Sequence, residues 1–263
     1  MTFLLISIGL VVATFLVVRP AVVQGAPVAL HRFDGKGVLI AFAFVICGAM
    51  LLGLGLAAAF LAALMVKELG HYLGHRLAGD DAARLRLLPV PGGPAISTRA
   101  PRSDLAAFFT LLMGPGLGLA PMVAAFALAA AFAESAPAFA GAARNFALAS
   151  GALNFVALLP LWPLPGGRLA GMVIESRFPQ VGGLGAAVFA AFTIGLAISW
   201  SSGLLFVLGL VAALALALRP PVAHVRPRLN RREAGLAFAA YFATLGAFFL
   251  GGWWVLRLMP LGV

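Results

Sequence analysis

The chain alternates long apolar runs with short polar breaks. Runs of roughly 17 to 25 apolar residues, the length that crosses a bilayer as helix, fall at 2–18, 37–53, 56–77, 105–132, 145–161, 182–200, 203–218 and 235–259. Val38 to Val66 is one apolar stretch, too long for a single crossing helix and interrupted only by Gly53 and Gly55. A tight turn at Gly53-Leu54-Gly55 therefore divides the second span from the third. The pattern predicts an all-α polytopic membrane protein of about eight transmembrane helices, forming a single integral domain over 1–263. The longest polar stretch contains Arg84-Leu85-Arg86-Leu87-Leu88-Pro89-Val90, which alternates, and then Pro91-Gly92-Gly93-Pro94, which turns. It is expected to form a short β-hairpin-like loop on the inner face.

Composition agrees with a membrane setting: 63% of residues are hydrophobic and 10% charged, too little polar surface for a water-soluble domain of this size. The apolar start has no Lys or Arg before it, which favours a retained span over a cleaved leader. The lone Cys47 excludes an intrachain disulfide.

Charge orients the spans. With the N-terminus outside, the inner loops Arg19–Lys36, Ala78–Asp104, Trp162–Val181 and Arg219–Ala234, with their helix ends, hold all of the 18 cations except Lys67, Arg144 and Arg257. This is the positive-inside asymmetry expected of a multi-pass protein, here of a bacterial inner membrane. The net charge of +10 is thus chiefly a topology signal. Nucleic acid is not an expected partner, since no aromatic interleaving or soluble domain accompanies the arginines. Membrane lipid is, with Arg226 to Arg232 placed to touch anionic headgroups. Trp253 and Trp254 stand where interface anchors belong, and Arg168 to Phe178 reads as an amphipathic turn or two in the inner interface.

The third span carries the candidate chemistry. Lys67, His71 and His75 are spaced i, i+4, i+8 on one stripe, with Glu68 beside it. Ionisable groups inside a span cost several kcal/mol unless paired or facing a cavity, so they mark a candidate site. Lys67-Glu68-Leu69-Gly70-His71 reads as the zinc-protease helix motif H-E-x-x-H with lysine in place of its first histidine. The plain alternative is a buried polar network that pins helices together, which suits His75 at a span end best.

Two further segments follow in order. Gly92-Gly93 precedes Leu111-Leu112-Met113-Gly114-Pro115, and Leu159-Pro160-Leu161-Trp162-Pro163-Leu164-Pro165-Gly166-Gly167-Arg168 comes later. Together with Glu68-Leu69-Gly70-His71 they resemble the site-2 proteases, intramembrane zinc metalloproteases. The segments match the H-E-x-x-H helix, the glycine-rich hairpin with its G-P-x-x-N span, and the P-x-x-P-L-D-G-G-R motif. The resemblance covers about 56–173 as a core, with extra spans over 1–55 and 182–259, and implies a site near the cytoplasmic side.

The departures from this pattern lie at the chemistry. The resemblance places the zinc ligands at Lys67, His71 and Pro165, of which only His71 can ligate. The asparagine of G-P-x-x-N falls on Gly118, and the one two turns before L-D-G falls near Ala157, with Asn154 one turn earlier to compensate. The backbone-shaping residues Gly114, Pro115, Gly166 and Gly167 persist. A protonated lysine has no lone pair, and zinc sites take at least three protein ligands. The expected reading is a degenerate member with no cofactor, a non-proteolytic binder or regulator of membrane proteins whose partner is a transmembrane helix of another protein.

The alternative is an active metalloprotease with a rearranged site. His71 and His75 would ligate zinc, Glu68 would be catalytic or a third ligand, and Tyr72 would stand where the general base belongs. A third reading, a transporter or channel, draws on the broken segments Gly114-Pro115-Gly116 and Pro163 to Gly167 but lacks matching breaks in two halves.

Overall fold

In the computed structural model, residues 2–23, 35–85, 97, 99–218 and 226–257 are described. Nine α-helices follow one another among them: α1 Thr2–Val23, α2 Gly35–Leu52, α3 Leu54–Leu77, α4 Asp104–Ala131, α5 Pro137–Leu158, α6 Pro165–Arg177, α7 Gly182–Ser199, α8 Gly203–Ala217 and α9 Arg231–Gly252, the last running into a 3₁₀ turn at Trp253–Arg257. Among the described residues five segments are long and apolar enough to cross a membrane: Leu4–Val23, Leu54–Leu77, Asp104–Ala131, Gly182–Ser199 and Arg231–Arg257. The chain is therefore built as a multi-pass membrane protein. At 15 residues α8 spans only about 22 Å at 1.5 Å per residue. Alanine, glycine, Arg144, Asn145 and Asn154 lower the apolar character of α5. The eightfold count of crossings thus exceeds the helices that meet a full span's length and hydropathy, although each expected run has its helix.

The division of the 38–66 run falls where the glycines placed it. Gly53 separates α2 from α3 at φ 81°, ψ 153°, a conformation essentially reserved for glycine. Beside the break, Gly48 on α2 faces Ala57 on α3. The hairpin expected from Arg84 onward lies, after Leu85, outside the described residues, among which there is no strand. The segment 168–178, expected as an amphipathic turn or two, falls largely in α6, which runs for 13 residues.

The chain forms two compact units: 1–100 with 113–154, and 101–112 with 155–263. In the first, small residues let helices approach closely. Ala59 and Ala63 of α3 bury against Ala149 of α5, flanked by Leu56, Phe60, Phe146 and Leu153. A second cluster joins Val18, Tyr72, Leu73, Ala83 and Leu117. In the second unit, Leu161, Ala190 and Ala212 form the equivalent centre. There Ser202 caps α8 and donates to the Leu256 carbonyl at 2.6 Å, tying the 3₁₀ turn down. Arg257 lies over the Trp253 ring at 4.7 Å.

Candidate functional site

The first unit holds the sequence-predicted polar stripe. α3 brings Lys67, His71 and His75 onto one face, all partly exposed, while Glu68 is buried at 5% exposure. Lys67, Glu68 and His71 each have interaction partners, as charged groups in an apolar span require.

Two glycines set the position of His71. Gly70 lets α3 meet α4 backbone to backbone: a Cβ there would run into the Met113 carbonyl and stand 2.7 Å from that of Gly114. Gly114 in turn makes room for the imidazole, since its own Cβ would overlap the His71 ring. The glycine of the G-P pair is therefore a seat for the histidine. Pro115, fully buried next to it, has no N–H for the helix ladder and leaves the carbonyl one turn earlier without that donor.

A similar exchange occurs one turn along α4. Gly118 stands where the resemblance expects asparagine, and the space is filled from α5: a Cβ at Gly118 would lie 2.9 Å from Asn154 Nδ2. Asn154 is fully buried and donates to the Ser150 carbonyl at 3.0 Å and its hydroxyl at 3.4 Å. Its Oδ1 accepts no hydrogen bond among the described residues. Gly118 thus leaves room for the Asn154 amide of the neighbouring helix.

His75 meets an acid at the end of the same helix. Its Nδ1 lies 3.3 Å from Asp80 Oδ2, and the Asp80 backbone N–H donates to the His75 carbonyl at 3.0 Å. Gly79, at φ 81°, reverses the chain so that Asp80 can fold back over the helix end. Asp80 Oδ1 also accepts from the Ala82 N–H, and the buried Arg76 donates to the Asp81 carbonyl. These contacts close the C-terminal end of α3. Among the described residues no three His, Cys, Asp or Glu side chains gather into a group able to hold a metal.

The second unit holds the proline-rich segment. After α5 ends, the chain turns through Leu159–Leu164, with a cis Trp162–Pro163 bond, and α6 starts at Pro165. Proline suits this first helical position, where an N–H would lack an intrahelical partner anyway. Gly166 and Gly167 press on the turn itself. A Cβ on Gly166 would strike the Leu158 and Leu159 carbonyls, and one on Gly167 would strike the Leu161 carbonyl and stand 2.6 Å from the Trp162 nitrogen. Both glycines are thus explained by backbone crossing backbone.

Sequence reading missed the clasp on this turn. Tyr241, buried on α9, donates its hydroxyl to the Leu158 carbonyl at 2.7 Å. One of only two tyrosines in the chain, centred in an apolar span, was the available signal. Tyr241→Phe is expected to lower stability by about 1–3 kcal/mol, because a buried carbonyl loses its donor. An unchanged unfolding midpoint in detergent would show that the clasp carries no weight.

No protein-family model and no curated protein matches the chain. Among solved structures it is similar to the site-2 protease from Methanocaldococcus jannaschii, with 13% identity and a TM-score of 0.46, over 77% of this chain and 99% of that one.

Proposed function

We propose that this is a membrane protein on the site-2-protease plan that no longer performs zinc hydrolysis and that binds or regulates other membrane proteins. The supporting observation is the α3 face itself. Lys67 stands one turn before His71 on the face where two ligands would stand together, and His71, the one imidazole at the ligand positions the resemblance gives, is seated against the glycine of α4. An ammonium contributes charge and three donors but no lone pair. At the third ligand position Pro165 offers no donor atom from its side chain. A Lys–Glu–His cluster without metal is suited to fixing helices and presenting a polar seam to a partner helix, not to activating water.

The test is cleavage. Reconstituted with single-span membrane proteins as candidate substrates, the wild-type chain is expected to yield no fragments beyond background, with or without added zinc. Glu68→Ala and His71→Ala are expected to give the same pattern. Fragments that vanish with Glu68→Ala in a folded variant would overturn the reading and restore the metalloprotease.

A further inference from the structure

We infer that the starts of α4 and α9 form a docking surface for an anionic phospholipid headgroup, read by Arg102, Arg228, Arg231 and Arg232. All four arginines belong to the second unit. What brings them together is a buried carboxylate. Asp104, 2% exposed, opens α4, and its Oδ1 lies 3.4 Å from Arg226 Nε. Its backbone N–H donates to the Pro227 carbonyl at 3.0 Å. These two contacts tie the first turn of α4 to the segment leading into α9, so both helices enter the membrane from the same end.

Arg226 is spent on that pair. The other four are exposed, and among the described residues none of them pairs with a carboxylate. Glu233, the other acid nearby, is held in the α9 capping box, accepting from the Asn230 N–H at 2.8 Å. Asn230 Oδ1 accepts from the N–H groups of Arg232 and Glu233. Two of the backbone donors that could draw an anion to this helix start are therefore taken up, and attraction falls mainly to the guanidinium groups.

A lipid fits this surface better than a soluble anion, because the charges sit directly above apolar surface. Leu105 and Phe109 follow Arg102 on α4, and Leu236 and Phe238 follow Arg232 on α9, all exposed. Guanidinium groups match phosphate oxygens in paired hydrogen bonds, and the exposed side chains below them suit acyl chains. Charge balance for topology alone would not need four arginines that, among the described residues, face no carboxylate.

The experiment counts lipids that remain bound to the detergent-purified full chain by native mass spectrometry, using phosphatidylglycerol against phosphatidylcholine of the same acyl chains. The wild-type chain is expected to retain phosphatidylglycerol preferentially. In Arg228→Ala/Arg231→Ala/Arg232→Ala that preference is expected to fall by about a hundredfold, roughly fivefold per arginine, while the triple lysine variant keeps most of it. Millimolar inorganic phosphate or a soluble acidic peptide is expected to leave the bound lipid in place. Equal retention of the two lipids by the wild-type chain would overturn the inference whether or not the variants fold. So would an unchanged preference in the folded triple alanine variant, or displacement by phosphate (a free-anion site) or by the peptide (a protein-docking site).

Discussion

Gly70→Ala is expected to destabilise the protein by about 1–3 kcal/mol, the usual cost of forcing a group into a filled contact. The sign is what makes the experiment informative. Alanine inside a helix ordinarily gains up to about 1 kcal/mol over glycine. At Gly70 the added methyl meets the Met113 carbonyl, the Gly114 carbonyl at 2.7 Å and the Gly114 Cα at 3.0 Å. Backbone cannot swing aside as a side chain can, so α3 and α4 must separate and the His71 seat opens. Gly116→Ala, on the same stretch of α4 with nothing within 4 Å of its Cβ, is the internal control and is expected to be neutral or slightly stabilising. Gly114→Ala falls between the two, because it is met by the His71 ring, which can rotate. Detergent or steric-trapping unfolding should rank the three variants in that order, and equal midpoints for Gly70→Ala and Gly116→Ala would show that the close approach of α3 and α4 is absent.

The same contrast explains what was legible in the sequence. Apolar runs and glycine breaks identified the helical segments because backbone satisfaction in lipid leaves helix as the solution for each run. Gly53 could be placed for the same reason: two helices cannot be joined so tightly without a residue that tolerates its φ and ψ. The motif glycines Gly114, Gly166 and Gly167 stood out by pattern, but their purpose did not. Only coordinates show that one houses a histidine ring and that two lie against a turn.

Contacts between residues far apart in sequence were beyond reach. Tyr241 to Leu158 closes over 83 residues, and nothing in the local pattern of α9 says which carbonyl its hydroxyl meets. Asp104 likewise read as a loop residue at a span edge, whereas its pairing with Arg226 is a tertiary event. His75 illustrates the opposite case. Its i+4 spacing from His71 was legible, while the Gly79 reversal that brings Asp80 back to its Nδ1 is a local fold-back that spacing alone does not reveal. The contact of Gly118 with Asn154, from α4 to α5, is equally a tertiary one.

Zinc content offers the sharpest test of what the α3 face can hold. The wild-type chain, purified without chelator, is expected to carry less than about a tenth of a zinc ion, since its predicted ligand positions provide one imidazole and zinc takes three or four protein ligands. Lys67→His rebuilds an i, i+4 imidazole pair on the face where His71 already stands. It also removes an ammonium whose charge opposes the cation. Two ligands hold zinc weakly, so this variant is expected to bind reversibly and lose the ion to a mild chelator. A Lys67→His variant that holds no more zinc than the wild-type chain would show that a second imidazole on this face is not enough to retain the ion. A wild-type chain that already holds a stoichiometric ion would instead mean that the lysine has not displaced the metal, and the loss of hydrolytic chemistry would have to be abandoned.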